Sequence, residues 1–328
     1  MKTIAFFNNK GGVGKTTLVY HLAHMLSRLG YRTLAVDCDP QANLTAAFLD
    51  EEQLEILWEE SKETILACVE PILEGTGDVA QPILKSVADG LWLLPGDLGL
   101  SRFEDKLSDS WARGYNSDQA ALRTTSAFYR IIQRGLRDTG AEVALLDVGP
   151  NLGAINRSAL LATDYLVIPL AADLFSLQGL RNLGPTVRTW RHQWIQMQQL
   201  VSTNVELPPG GMEPAGYVVL QHAVRLDRPV RAYGRWLARI PDVYRRAVLG
   251  QDERSLFGSE EDAGHLLATL RNFRSLMPMA QDARKPMFDL RPADGAIGSH
   301  AQLAQTCKAD FQRLAEVIAD KCGLQKSA

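Results

Sequence analysis

The chain has 328 residues, 46% hydrophobic and 22% charged, which supplies a full-sized core and excludes a disordered majority. A net charge of −3 excludes a global pull towards nucleic acid, so any such binding needs a local basic patch. The four cysteines, Cys38, Cys68, Cys307 and Cys322, are too far apart for a C-x-x-C zinc or redox site, and no apolar stretch has the length of a membrane span, so a reducing, cytoplasmic setting is expected.

The apolar run from Thr3 to Phe7 reads as a strand and leads into Asn8-Asn9-Lys10-Gly11-Gly12-Val13-Gly14-Lys15-Thr16-Thr17. Strand, glycine-rich loop and helix start, in that order, are the setting of a phosphate-binding loop. Gly11, Gly12 and Gly14 let the backbone wind tightly, so that successive N–H groups, that of Val13 among them, converge on phosphate oxygens. Lys15 is expected between the β- and γ-phosphates of ATP, with Thr17 on the same turn and the Thr16 hydroxyl on Mg2+. Asn9 stands at the first glycine position of the simplest G-x-x-x-x-G-K-[ST] pattern, and a second lysine, Lys10, occupies the opposite lip. Beyond the loop, Leu18, Leu22, Leu26 and Leu29 hold one helix face, and Gly30 sits where a C-cap glycine belongs.

A second apolar run, Thr33 to Val36, ends in Asp37-Cys38-Asp39-Pro40-Gln41, placing two carboxylates at the C-terminal edge of a sheet, where open α/β folds bind ligands. Phosphoryl transfer to water needs a metal and a positioned nucleophile more than covalent help. Asp39 is expected to orient the water and Asp37 to stand in the metal's outer shell. From Phe48 to Ser110 there are 15 acidic residues and 4 basic ones, so a solvated helical insertion is expected over about 48–125, with a strand-like run at Leu91 to Leu94. Val143 to Leu146 leads to Asp147, the Walker B arrangement in which the acid holds Mg2+ through its water shell.

Tyr165 to Leu170 and Tyr217 to Leu220 are further strand-like runs, and Val201 to Pro214 reads as a long loop. From Gly179 to Arg246 ten arginines (Arg181, Arg188, Arg191, Arg225, Arg228, Arg231, Arg235, Arg239, Arg245 and Arg246) outnumber four acids. An arginine-rich insertion is expected over about 224–274. A last helix with Leu303, Cys307, Leu314, Val317 and Ile318 on one stripe follows the turn at Gly295 to Gly298. The alternation of strand and helix periods predicts an α/β fold with a mostly parallel central sheet flanked by helices on both faces, in a single domain over residues 1–328.

Three segments together, Lys10 to Thr17, Asp37 to Thr45 and Leu145 to Gly153, resemble the deviant Walker A P-loop ATPases, the family of ParA-type partition proteins and MinD-type positioning proteins. The resemblance continues through Leu91 to Leu100 and Tyr165 to Leu180, and more loosely to the last helix. It implies that Lys10 reaches across a homodimer to the partner's phosphates, that ATP-Mg builds a sandwich dimer, and that hydrolysis timed by a stimulating partner protein dissolves it. Gly149 stands where the family commonly has proline, and Gln221 where asparagine is usual for reading adenine. Gln221 keeps the hydrogen-bonding groups for a base and is the candidate adenine contact. The segment Pro278 to Met287 resembles the family's adenine-side loop without fixing a contact residue.

The arginines of 181–246 would suit nonspecific DNA binding in the ATP dimer, since sequence-independent binding needs only clustered positive charge. Pairing with the acidic stretch or with a protein partner is the competing use. Lys308, Arg313 and Lys321 in the last helix are balanced by Asp310, Glu316 and Asp320, which disfavours membrane anchoring. A partner-regulated switch without DNA, in scaffolding or defence, and a small-molecule kinase or ligase on the same fold are the rival functions.

Overall fold

The apolar runs become strands of one eight-stranded sheet in the computed structural model, which describes residues 1–200, 204–220, 230–251, 264–273 and 275–326. The strands are β1 (Lys2–Phe6), β2 (Thr33–Asp37), β3 (Lys85–Ala88), β4 (Leu91–Leu94), β5 (Val143–Asp147), β6 (Tyr165–Leu170), β7 (Glu213–Leu220) and β8 (Leu266–Leu270). Between them lie α1 (Lys15–Arg28), α2 (Asn43–Phe48), α3 (Glu51–Glu55), α4 (Ile65–Glu74), α5 (Phe103–Gly114), α6 (Gln119–Thr125), α7 (Ala127–Thr139), α8 (Ala154–Leu161) and α9 (Leu174–Leu200). The second half adds α10 (Val230–Leu237), α11 (Ile240–Val243), α12 (Met277–Ala283) and α13 (Ser299–Lys321). The sheet order is β3-β4-β2-β5-β1-β6-β7-β8, parallel throughout except for β3 against β4 at one edge.

Both faces of the sheet are covered because its central strands are apolar on both sides. In β1, Ala5 faces one apolar layer while Ile4 and Phe6 face the other; in β5, Ala144 and Leu146 oppose Val143 and Leu145 in the same way. The first layer is filled from α4, α5, α7, α8 and α9, the second from α1, α2, α12 and α13. Leu22 of α1 is fully buried in the second layer, and its truncation to alanine is a loss of about 2–5 kcal/mol.

The acidic stretch is helical in α3 to α6, but it also contributes β3 and β4 to the sheet. Strand β8 falls within the arginine-rich stretch, and β7 begins at Glu213, inside the segment that reads as a loop. Helix α1 ends as its sequence dictates: Leu29 is the C-cap and Gly30 takes the left-handed conformation, φ 88°, which costs glycine nothing. Among the described residues no helix is long and apolar enough to cross a membrane.

Candidate functional site

The chain leaves β1 for α1 through a loop that Asn8 pins. Its side-chain amide donates to the Pro169 carbonyl of β6 (2.7 Å), and its Oδ1 accepts the Lys10 N–H (2.9 Å). Gly12 and Gly14 both have positive φ, 70° and 81°, and a Cβ at Gly14 would also lie 3.1 Å from Leu220. That turn aims the first amides of α1 outward, with no capping side chain and no acid in the first turn. A bare helix N-terminus with Lys15 beside it is a site for an anion.

Register brings the carboxylates to the same edge. Asp147 is level with Phe6 of β1 on one side and with Asp37 of β2 on the other. Asp147 is fully buried; burial, then the charge of Asp37, pushes its carboxyl up to about 8 against the opposing pull of Thr16 and Lys15. Its Oδ2 accepts the Thr16 hydroxyl at 2.6 Å, while its Oδ1 has no protein partner. A buried acceptor left over in this way suits a cation or its water shell. Among the described residues no group of three or more His, Cys, Asp or Glu side chains forms a metal cage. The unpartnered Oδ1 of Asp147 beside the Thr16 hydroxyl fits Mg2+, which takes one or two protein ligands and completes its shell with phosphate and water.

Asp37 is differently engaged. Its Oδ2 accepts the Thr45 N–H (2.8 Å) and hydroxyl (2.7 Å), and its Oδ1 accepts the Asp39 N–H at 3.2 Å. Burial raises its carboxyl to about 6 in spite of these bonds. The Thr45 hydroxyl in turn accepts the Gly96 N–H at 2.7 Å, and a Cβ at Gly96 would sit 2.8 Å from Asp37 Cγ. These bonds describe an anchor for the loop between β2 and α2. Asp39, held by the Gln41 N–H on its Oδ1 at 3.0 Å, is the carboxylate that reaches the cavity wall.

The cavity has a volume of about 630 Å³ and runs from Gly11, Gly12, Gly14, Lys15, Thr16 and Thr17 past Asp39 and Tyr20 to Met277, Gln281 and Arg284 of the α12 region. That volume falls in the range of small-molecule and cofactor sites. Burial lowers the pKa of Lys15, and the charges of Asp147 and Asp39 oppose the shift. Val13 is buried beneath the loop. Lys10 lies outside the cavity wall: its ammonium pairs with the Asp173 carboxylate before α9 and stands 5.8 Å from the Phe175 ring centroid.

Tyr20, His21, Thr45 and Arg284 were not singled out by the sequence. His21 donates from Nδ1 to the Thr17 carbonyl (2.7 Å) and accepts the Met287 N–H on Nε2 (3.0 Å), so it is neutral, and burial holds its pKa down to about 4. It ties the end of the phosphate loop to the segment after α12. Arg284, at φ 48°, donates to the Leu49 carbonyl (2.5 Å) and links that segment to the end of α2.

Gln221, Arg225 and Arg228 lie outside the described residues, as does the side chain of Arg231. Of the other arginines, Arg188 donates to the carbonyls of Ala247 and Val248, Arg191 pairs with Glu213 at 3.9 Å, and Arg246 with Asp242 at 3.0 Å. Arg235 and Arg239 stand 4.8 and 5.4 Å from the ring centroid of Trp236, and Arg181 is exposed.

A parallel sheet with a glycine loop, a bare helix N-terminus and carboxylates at its C-terminal edge defines a P-loop nucleotide-binding domain. The AAA domain family model matches residues 1–200, and the chain belongs to that family, in its ParA-type branch. It is 33% identical over 187 residues to the sporulation initiation inhibitor protein Soj of Bacillus subtilis, covering 57% of this chain and 65% of that one. It is 30% identical over 191 residues to the chromosome-partitioning ATPase Soj of Thermus thermophilus, covering 58% and 63%. The match thus spans less than two thirds of either relative. The crystal structure of protein DIP2308 from Corynebacterium diphtheriae superposes with a TM-score of 0.72 at 26% identity, over 98% of each chain.

Proposed function

We propose that the chain is a ParA-like ATPase that binds ATP with Mg2+, closes as a nucleotide-sandwich homodimer and hydrolyses ATP to reopen, as a switch in DNA partition or cargo positioning. The observation that carries this reading is the convergence of Lys15, Thr16, Asp39 and Asp147 on the uncapped N-terminus of α1. The amides of Gly11 to Thr17 and the Lys15 ammonium bind and orient the phosphates. Thr16 and Asp147 would hold Mg2+, which supplies neutralisation of phosphate charge. Asp39 orients the attacking water, and Asp37 fixes the loop that carries Asp39.

Lys10 supports the dimer. Its ammonium is held by Asp173 away from its own cavity, in keeping with a cation delivered to the phosphates of a second copy. ATP drives association only through its differential affinity for the two states, and a partner protein sets the timing of release. One of the Soj relatives is named a chromosome-partitioning ATPase, which supports this reading. Nonspecific DNA binding through the arginines is the extended form of this reading. The same switch without DNA is favoured by Arg188, Arg191 and Arg246, which are already bonded within the chain.

The test is nucleotide binding by Lys15→Ala. Removing the buried cation is expected to weaken ATP binding by about 2–5 kcal/mol, and undiminished affinity would remove the site assignment.

A further inference from the structure

The loop that follows Asp147 passes Gly149 and enters α8 at Ala154. Asn156, in the first turn of α8 and 1% exposed, turns its carboxamide back onto that loop. Its Oδ1 accepts the Gly149 N–H at 3.1 Å, and its Nδ2 donates to the Gly149 carbonyl at 3.0 Å. The same Nδ2 also lies 2.7 Å from the Asn151 carbonyl and 3.0 Å from Asn151 Oδ1. Asn156 thus brackets Gly149 from both sides, using the acceptor and the donor of one carboxamide.

The bracket abuts the cavity. A Cβ built on Gly149 would lie 3.4 Å from Asp39 Oδ1 and 3.4 Å from Asn156 Nδ2, ordinary contact distances, so the Gly149 backbone runs beside both side chains. Proline at this position has no N–H, so the bond to Asn156 Oδ1 requires a residue such as the glycine found here. From the far side, Glu104 of α5 accepts the N–H groups of Ala154 (2.5 Å) and Ile155 (2.9 Å), fixing the start of α8. A Cβ on Gly153 would come within 2.6 Å of Glu104 Oε1. The loop therefore has a fixed floor, Asn156, and a fixed exit, Glu104.

We infer that Asn156 is a positioning residue for ATP hydrolysis: its bracket on Gly149 holds the loop after Asp147 against Asp39 and sets where Asp39 can place a water. This rests on the ATPase reading given above. A residue that only stabilises the loop would, when removed, lower melting temperature and nucleotide affinity together. A residue that sets the placement of Asp39 lowers kcat while nucleotide affinity holds, because the phosphate loop lies on another element.

The experiment measures kcat, KM and the affinity for a nonhydrolysable ATP analogue in the full chain, for wild type, Asn156→Ala, Gly149→Pro and the double variant. Each single variant is expected to lose on the order of tenfold to hundredfold in kcat, with analogue affinity within about threefold of wild type. The double variant is expected to lose little more than Asn156→Ala alone, since proline at 149 removes only the N–H bond of a bracket that Asn156→Ala removes whole. If Asn156→Ala does not fold, Gly149→Pro carries the test alone through the same split between kcat and affinity. Wild-type kcat in the variants, equal losses in kcat and affinity, or losses that multiply in the double variant overturn the proposal. A wild-type chain without turnover removes the ATPase reading and the proposal with it, whereas turnover that survives Asn156→Ala removes the bracket alone.

Discussion

Thr16 donates its hydroxyl hydrogen to Asp147 across 2.6 Å, joining the first turn of α1 to the last residue of β5. The bond occupies one carboxylate oxygen and leaves the other buried without a protein partner. Asp147→Asn keeps an acceptor for Thr16 and removes a charge that burial and Asp37 both oppose. The variant is expected to melt at least as high as wild type without metal and to lose Mg2+-dependent nucleotide binding. Thermal melts with and without Mg2+ and ATP analogue check both halves. A Mg2+-dependent rise in melting temperature as large as that of wild type would contradict the assignment.

Asp39 is the carboxylate on the cavity wall. Asp39→Ala is expected to bind the ATP analogue normally and to hydrolyse ATP about 10²-fold or more slowly, so that the ATP-bound form accumulates. Wild-type turnover in single-turnover assays would take the role from Asp39.

Thr45 spends one hydroxyl on two partners, donating to Asp37 and accepting from Gly96. Thr45→Val keeps the shape and deletes both bonds, leaving a buried carboxylate and an amide short of partners. The expected loss of stability is about 1–3 kcal/mol, read from urea midpoints. A midpoint equal to that of wild type would show that Asp37 is not anchored through Thr45.

His21 carries a pH dependence of definite sign. Its folded pKa of about 4 lies below the ordinary 6.5, so the unfolded chain takes up its proton first as pH falls. The contribution of neutral His21 is full above pH 6.5 and is lost as pH falls towards 4, on the order of 3 kcal/mol. His24, held down to about 3 chiefly by burial, adds to the same slope. His21→Gln is expected to flatten stability against pH in that window relative to wild type, measured by urea unfolding at stepped pH. An unchanged slope would mean that His21 is not buried neutral.

What the sequence could reveal was set by how local each feature is. Gly11 to Thr17, Asp37-Cys38-Asp39 and Asp147 are contiguous with the strands that carry them, so the phosphate loop and the carboxylate edge are legible from spacing alone. The strand end suggests the metal's outer shell for Asp37, while its bonds to Thr45 appear only once α2 folds back on β2. His21 meets Met287 across 266 positions and Lys10 meets Asp173 across 163, separations that no periodicity encodes. The edge strand β3 is only partly buried and lacks an apolar run, and half-exposed β8 sits beside arginine-rich sequence, so neither stood out. The arginines read as one basic stretch because sequence does not show that Arg188 bonds the carbonyls of Ala247 and Val248.

Light scattering of the purified chain with Mg2+ tests most directly the proposed control of association by ATP through Lys10. The expected result is the 36.2 kDa monomer with ADP, a dimer with a nonhydrolysable ATP analogue, and a monomer with either nucleotide for Lys10→Ala. A wild-type mass that is the same with ADP and with the analogue would contradict it.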